Sequence, residues 1–389
     1  MGELAGLDQR LKTHVDQSAE VVAAGRRDLD TVRKWVVDAA AGVPRNATGD
    51  RMLLPIVQKG VSEVVGIVER SNGSLNTIGA LIRGLDAKYQ ALRDQKFGKK
   101  QVGPQFVGPD KDGKDGDKEG NPENKYEKAL RDAGLLTGPP PDGYYREWLE
   151  NAERRGVPPD VIVDIARRHH ITPTDFEVLN KMEKVTDRDG KSFFLMPPGT
   201  TGKDALKAAL MTYVLNAGTD YGEDPLDDFD PTPYSADEVQ RIIDRQNANS
   251  WSYDQDVGFV QGNGGRLMTT PNGMLMGLGG NQLQDFFSEG GGSTWGDIFM
   301  LNVDDPRDPA QQLRQIAESG HMWYPKADGD GYESTLDRVL HHEERHSLQW
   351  AEKGYRTMLR EYGIEWAREK IGLPNRLEED AGLSDGGYK

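Results

Sequence analysis

Apolar residues recur at every seventh position through the first quarter of the chain. The first series is Val15, Val22, Leu29 and Val36; the second is Val61, Val68, Leu75, Ile82 and Tyr89; an interleaved set is Val57, Val64, Ile78, Leu85 and Leu92. A sustained seam of this kind is typical of long helices that pack along their length. Pro44 interrupts the seam between the first two series. The pattern therefore predicts a long antiparallel helical hairpin, with helices over residues 4–42 and 50–95, inside a first domain at residues 1–96.

The hydrophobic pattern stops at residue 97. The stretch from Lys111 to Asn124 consists almost entirely of Lys, Asp, Gly, Glu, Asn and Pro. Such a segment buries too little apolar surface to fold. Residues 97–124 are therefore predicted to be a disordered linker.

Helical periodicity returns in residues 125–225, which we assign to a central helical region. Helices are predicted at 126–133, 144–155, 159–169 and 204–216, with a short strand at 191–196. Acidic residues and prolines crowd the stretch 221–231, which predicts a connecting loop and the start of a last domain at 226–389.

Short apolar runs separated by glycines follow. The runs at 257–260, 266–268, 274–276 and 297–301 predict strands of a small sheet. From Pro309 onward the pattern is helical again. The predicted fold class is α+β, mostly helical, with the hairpin, the central helical region and a C-terminal domain that holds the small sheet.

Composition narrows the function classes. The chain has 389 residues, a net charge of −16 and no cysteine. The acidic balance would repel phosphate backbones, which argues against a nucleic-acid partner, and any metal site must use histidine and carboxylate ligands. No run approaches the ~18 apolar residues of a transmembrane helix. The start, Met1-Gly2-Glu3-Leu4, lacks the basic and apolar regions of a Sec-type signal peptide.

One short motif carries the clearest chemistry. The stretch from His342 to His346 reads His-Glu-Glu-Arg-His, and at this spacing two helical histidines share one face and can bind one tetrahedral Zn²⁺. Glu343 follows the first histidine, where a carboxylate can hold and deprotonate a water. Ser334 to Asp337 resembles a capping box, and Gly354 a C-terminal cap, so the motif is predicted in the middle of one helix. The competing interpretation is a charged, solvent-exposed helix face.

A catalytic zinc site needs a third protein ligand. The downstream candidates are Glu378, Glu379 and Asp380, with Glu365 and Glu369 as alternatives on the intervening helix. The metzincin continuation is absent, because Gln349 and Glu352 stand where a glycine and a third histidine would be. A glutamate on a second helix is expected, and the spacing alone leaves its identity open.

Residues 293–382 resemble the H-E-x-x-H metallopeptidase-like (zincin-like) domains of bacterial polymorphic toxins and related secreted proteins. The features that carry this resemblance are a G-x-x-hydrophobic strand from Gly296 to Leu301, the motif followed by Gln349-Trp350, then Gly354, and an E-x-x-A sequence from Glu378 to Ala381. By this resemblance Glu378 is the third ligand. The family usually has an acidic residue after that alanine, where this chain has Gly382.

The resemblance implies a zinc-dependent metallopeptidase. Zn²⁺ is expected on His342, His346 and Glu378, with Glu343 passing a proton from water to the leaving amine. Candidate donors to the tetrahedral oxyanion are His321, Tyr332 and Tyr362. An extended peptide is expected to pair with the strand at 298–301.

The N-terminal hairpin resembles the helical-hairpin modules of type VII (ESX) secretion substrates. It lacks their W-x-G turn, since the turn region runs from Gly42 to Ala47 without tryptophan, and their Y-x-x-x-[DE] signal, since Arg93 stands four residues after Tyr89. The resemblance implies a secreted effector or toxin on a type VII-like route, with a cytoplasmic location otherwise. A helical partner protein or secretion chaperone is then expected on the hairpin, and a peptide or protein as substrate.

Two other interpretations stay open. In the first, the zincin-like fold is not catalytic and serves as a structural or protein-interaction module through the hairpin. In the second, the enzyme cuts its own linker at 97–124.

Overall fold

The computed structural model describes residues 2–43, 47–97, 124–221, 228–230, 232–280, 292–301, 308–324, 332–370 and 373–386. Over these residues the chain is a mostly helical α+β protein with a small mixed sheet. Its internal contacts divide into two units. The first comprises Met1–Asp28 and Gly66–Asn124, and the second comprises Leu29–Val65 and Lys125–Lys389.

The helices occupy most of the described chain. In order they are α1 (Gly2–Ala40), α2 (Ala47–Phe97), α3 (Lys125–Asp132), α4 (Gly143–Arg154), α5 (Pro159–Arg168), α6 (Gly202–Asn216), α7 (Ala236–Ala248), α8 (Val257–Gly262), α9 (Pro309–Ser319), α10 (Leu336–Lys353), α11 (Tyr355–Lys370) and α12 (Arg376–Ala381). A 3₁₀ segment covers Pro173–Lys181, and a π-helical turn covers Ser252–Asp256.

The strands are four residues long. They are β1 (Glu183–Thr186), β2 (Ser192–Leu195), β3 (Arg266–Thr269), β4 (Leu275–Leu278), β5 (Gly292–Trp295), β6 (Ile298–Leu301), β7 (His321–Tyr324) and β8 (Tyr332–Thr335). The main sheet has the order β1-β2-β3-β4-β6-β5, and β7 and β8 form a separate antiparallel pair. Within the main sheet β4 and β6 run parallel and the other neighbours run antiparallel.

Helices cover both faces of the main sheet, which explains why its central strands are continuously apolar. On one face Phe194, Leu267 and Ile298 join the large core made by helices α3 to α8. On the other face Phe193, Met268, Met276, Phe299 and Leu301 pack with Leu313 of α9 and with Leu336, Val339 and Leu340 of α10. The start of α10 is thereby fixed against the sheet.

Predicted and observed helices agree within a few residues for α1 to α6. Helix α2 runs unbroken through Asn72-Gly73. Of the seam positions, Leu29, Val36, Leu75, Ile78 and Leu85 are buried, whereas Val15 is 52% exposed. The antiparallel packing of the hairpin stays a prediction.

The strand predictions hold with one exception. Strands β2, β3, β4 and β6 lie at the predicted runs. The prediction of a strand at 257–260 is wrong, because Val257–Gly262 is helix α8. Val257 and Val260 are both buried three residues apart, a spacing that a helix brings to one face and a strand does not.

Within the second unit, the C-terminal part of α1 and the N-terminal part of α2 contact α11. Val36 and Val57 are buried together with Ile364 packed against them, and Ala40 packs against Leu373. The helix that leads toward α12 therefore has an apolar contact with the N-terminal segment.

The predicted linker at 97–124 lies almost wholly outside the described residues, as does most of the acidic segment before residue 228. Among the helices that are described, none has the length and apolarity needed to cross a bilayer.

Candidate metal centre

The histidine motif lies in the middle of α10. The helix begins after Thr335 and ends at Gly354, whose φ of 73° suits a glycine. The predicted C-terminal cap is thus confirmed. The predicted capping box is wrong: Thr335 is the N-cap and makes no side-chain cap hydrogen bond, and Asp337 instead accepts a hydrogen bond from the buried Lys191.

Three potential ligand atoms converge beside α10. His342 Nε2 lies 3.0 Å from His346 Nε2, and Glu378 Oε2 lies 3.1 Å from the first and 3.2 Å from the second. Glu378 comes from α12, 32 positions beyond His346. All three side chains are largely buried, so the residues nominated as ligands are brought together.

The other ring nitrogen of each histidine is held by an acceptor. His342 Nδ1 lies 2.9 Å from the carbonyl oxygen of Gly382, which can only accept, so this nitrogen carries the proton. His346 Nδ1 lies 3.0 Å from Gln349 Oε1. When both rings are neutral, as metal binding requires, the two Nε2 atoms present lone pairs to the same point as the Glu378 carboxylate.

Gln349 is itself fixed in orientation. Its Nε2 donates to the carbonyl of Leu377 at 2.9 Å and to Asp380 Oδ2 at 2.8 Å. Since both amide hydrogens are used on acceptors, Oε1 must face His346. Gln349 thus links the orientation of His346 to α12, the helix that carries Glu378.

Helix α12 is anchored at its first turn. Asn375 caps it by accepting hydrogen bonds from the backbone N–H groups of Leu377 and Glu378 at 3.1 and 3.4 Å. Glu365 of α11, only 4% exposed, accepts from the backbone and guanidinium of Arg376. Glu365, one of the alternative ligands, is therefore a structural partner of α12.

Electrostatics around the three groups favour one positive charge at their centre. Burial alone would lower the pKa of His346, but the adjacent Glu378 carboxylate outweighs it and raises that pKa to about 9. Burial would raise the pKa of Glu378, yet the contacts with His346 and His342 hold it well below its ordinary range. Three lone-pair donors this close together need a proton or a cation between them.

The donor set fits zinc. Two imidazole nitrogens and one carboxylate oxygen are the ligands of many catalytic zinc sites, whereas Ca²⁺ and Mg²⁺ prefer oxygen ligands alone. Acceptors behind both metal-binding histidines are a recurrent feature of such sites, because they fix the tautomer. His342, His346 and Glu378 are therefore suited to hold a metal ion.

Glu343 is buried next to this group. Its Oε2 accepts a hydrogen bond of 2.6 Å from the Thr294 hydroxyl on β5. Burial raises the pKa of Glu343, and the nearby His342 and His346 and the Thr294 hydrogen bond only partly oppose that shift. The carbonyl of Thr294 also accepts from Trp350 Nε1 at 3.0 Å, so one strand residue contacts α10 twice.

The adjacent Glu344 faces a different environment. It accepts from Arg245 at 2.6 Å, from Arg241 at 2.5 Å and from the Tyr221 hydroxyl at 2.9 Å. Arg245 also contacts Asp297 at 2.7 Å with both side chains fully buried. We call Arg241, Arg245, Asp297 and Glu344 the buried ion network.

The remaining candidates fall elsewhere. Glu379 and Asp380 are exposed, and the Glu369 side chain lies outside the described residues, as does that of Tyr332. His321 contacts Arg188 and Ser319, and Tyr362 packs against the apolar cluster around Trp350. Strand β6 has β4 on one side and β5 on the other, so the expected pairing of a peptide with 298–301 is wrong.

Sequence reasoning missed the residues that support the site from a distance along the chain. Thr294 belongs to a segment with no motif of its own, and Gly382, which directly follows the E-x-x-A sequence, contributes its backbone carbonyl rather than a side chain. The resemblance supplied a partial signal, since Gln349 belongs to its pattern.

Comparison with protein-family models, with curated proteins and with solved structures returned no match to this chain.

Proposed function

We propose that the chain is a zinc-dependent metallopeptidase whose metal is held by His342, His346 and Glu378. The observation that supports this most strongly is the convergence of three lone-pair atoms within 3.2 Å of one another, with the buried Glu343 carboxylate beside them. A solvent-exposed charged helix face would not bury these side chains.

Each of the chain's own groups has a distinct task in peptide hydrolysis. Glu343 takes a proton from the attacking water and gives it to the leaving amine; its raised pKa makes it a stronger base than an exposed carboxylate. Thr294 fixes the rotation of that carboxylate through its hydrogen bond. Gly382 and Gln349 hold the two imidazoles in the tautomer that leaves Nε2 unprotonated. Zinc, when bound, supplies Lewis acidity toward the water and the scissile carbonyl.

The proposal extends to the setting of the enzyme. The domain around α10 is of the zincin-like kind found in secreted effectors and toxins, and its substrate is a peptide or protein. The N-terminal helices form an antiparallel hairpin that recruits a helical partner, in the manner of type VII substrates. This wider setting rests on the sequence resemblance.

The activity is tested with full-length protein loaded with one equivalent of Zn²⁺ and a mixture of unmodified peptides read by mass spectrometry. Wild type should cut peptides. Glu343→Gln should lose ~10²–10⁴-fold in rate, the usual contribution of a general base, while keeping its zinc.

Matched variants on α12 sharpen this test. Glu378→Gln should lose zinc and activity together, whereas Glu379→Gln, one position along and exposed, should keep both. Equal activity in wild type and Glu343→Gln, with zinc bound to both, would contradict a peptidase.

That same outcome would support a second candidate, a non-catalytic metal-binding fold that acts as an interaction module. The contact of Val36 and Val57 with Ile364 favours it, because it connects the N-terminal helices to the helix that leads toward α12. Under this alternative, a pull-down through the hairpin would be unchanged by Glu343→Gln.

A further inference from the structure

The turn that follows α12 takes part in the metal centre. Residues 382–386, which we call the C-terminal turn, come directly after the helix that carries Glu378. The Gly382 carbonyl accepts from His342 Nδ1 at 2.9 Å and from the backbone N–H of Gly386 at 3.1 Å. Any movement of this turn therefore changes the acceptor behind one metal ligand and the end of the helix behind another.

A residue from a distant segment holds this turn. Asp228 Oδ2 accepts from the backbone N–H of Ser384 at 2.7 Å and of Asp385 at 3.1 Å. In return the backbone N–H of Asp228 donates to Asp385 Oδ1 at 3.2 Å. Each aspartate thus accepts from the other's backbone, although 157 positions separate them.

The glycine at position 382 makes this approach possible. Its φ is 95°, and a Cβ there would lie 2.7 Å from Asp228 Oδ2 and 2.9 Å from the Phe229 ring. The Asp228 carboxylate therefore lies in the direction that a side chain at position 382 would take. It brings an acidic group to a place where residue 382 itself has none.

Helix α10 contacts the same turn from its other side. Asp385, which is fully buried, has His341 Nδ1 2.9 Å from its Oδ2, and Arg338 donates to the Ser384 carbonyl. The turn is thereby held between α10 and Asp228. Asp228 itself is exposed, so its side chain contributes to holding the turn without being part of a core.

We infer that Asp228 is a positioning residue for the metal centre, acting through the C-terminal turn on His342 and Glu378. The inference rests on the proposed metal site. Removing a residue that orients metal ligands from behind usually lowers metal affinity 10–100-fold. Because Asp228 is an acceptor only, an asparagine that keeps one oxygen in place should preserve the two hydrogen bonds.

The test compares full-length wild type, Asp228→Ala, Asp228→Asn and the control Asp237→Ala. Asp237 has its side chain 85% exposed, in an ion pair with Arg168. Zinc affinity is measured by competition with a chromophoric chelator. Coordination is read from the visible absorption of the Co²⁺-substituted protein, and opening of residues 376–386 from hydrogen exchange without metal.

The expected result is a 10–100-fold weaker zinc affinity and an altered Co²⁺ spectrum for Asp228→Ala, with faster exchange in 376–386. Asp228→Asn should return to within about threefold of wild type, and Asp237→Ala should match wild type. A loss in Asp228→Ala that asparagine restores cannot come from general destabilisation.

Two outcomes overturn the inference, and they are distinguishable. If wild type binds zinc and Asp228→Ala binds it equally, the positioning role is wrong while the metal centre stands, even if exchange in the turn is faster. If wild type binds neither zinc nor Co²⁺, the proposed function and the positioning role fall together.

Discussion

Two adjacent glutamates of α10, Glu343 and Glu344, have pKa values shifted in opposite directions because they face different surroundings. Glu344 faces the buried ion network, where burial raises its pKa but Arg245 and Arg241 outweigh that effect and lower it. Glu343 faces the metal centre, where burial raises its pKa and His342, His346 and the Thr294 hydrogen bond only partly oppose that shift. On one face the charges are neutralised within the protein. On the other, three lone-pair donors converge and need a proton or a metal cation between them. The difference distinguishes a structural buried cluster from a site that requires something from outside the chain.

The largest effect on stability is expected from the network face. Arg245→Met removes the cation that contacts the fully buried Asp297, while Glu344 keeps its contact with Arg241. Breaking a buried ion pair in this way typically costs about 3–5 kcal/mol. Urea unfolding should show this loss. As a control, Arg168→Ala removes the exposed ion pair with Asp237 and should leave the urea midpoint almost unchanged, because solvent screens such pairs. A small loss in Arg245→Met would mean that the network is not the fixed element described above.

Removing the metal should lower stability only through the metal-centre face of α10. Zinc at a free concentration 100-fold above its dissociation constant stabilises the folded state by about 2.7 kcal/mol. A chelator should therefore lower the melting temperature of wild type, and added zinc should restore it. His346→Ala should have the same melting temperature without additions, with the chelator and with added zinc. A chelator response that persists in His346→Ala would place the metal elsewhere.

Thr294 tests the link between the sheet and the base. Thr294→Val removes the hydroxyl that donates to Glu343 while keeping the side-chain shape and the backbone carbonyl that accepts from Trp350. We expect kcat to fall about tenfold, which corresponds to ~1.4 kcal/mol, with zinc affinity unchanged. Thr294→Ser should recover most of the rate. A fall in zinc affinity instead would show that Thr294 supports the ligands rather than the base.

The two glutamates should also respond oppositely to pH in the metal-free protein. The lowered pKa of Glu344 gives stability that is complete above its ordinary value of 4.5 and is lost as pH falls through the folded value. Glu344→Gln should therefore be destabilising at pH 7, and the deficit should shrink below pH 4.5.

For Glu343 the sign is reversed. Its raised folded pKa means that ionisation costs stability, with no cost below the ordinary value of 4.5 and the full cost above the folded value. Glu343→Gln should therefore stabilise the metal-free protein at pH 8 relative to wild type, an effect opposite in sign to that of Glu344→Gln. Thermal melts across pH 4–8 give the stability of each variant relative to wild type as a function of pH. If the two variants show the same pH dependence, the contrast between Glu343 and Glu344 is wrong.

Local signals predicted much of this molecule. Helical periodicity located α1 to α6, and glycine-flanked apolar runs located four strands. The run at 257–260 was misassigned because four residues are too few to separate a helical from a strand period. The resemblance nominated Glu378, which the structure brings within 3.2 Å of both histidines.

The support of the site was not predictable in the same way. Gly382 acts through a backbone carbonyl and Thr294 through a hydroxyl on a strand that no pattern predicted. Asp228 acts through a carboxylate that accepts from backbone N–H groups 156 and 157 positions away. None of these needs a distinctive residue pattern, because many residues could supply the same atom. Only the fold selects which one does. The buried ion network was unpredictable for the same reason. Its charged residues have no distinctive pattern in the sequence, and only the packing of α7 against α10 brings them together.

The most direct test of the central claim is the metal content of the purified full-length protein, measured by elemental analysis after exchange into zinc-containing and then metal-free buffer. The proposed centre predicts one zinc per chain in wild type and in Glu343→Gln, and almost none in His342→Ala, His346→Ala or Glu378→Ala. Wild type without stoichiometric zinc, or zinc retained in all three ligand variants, would contradict it.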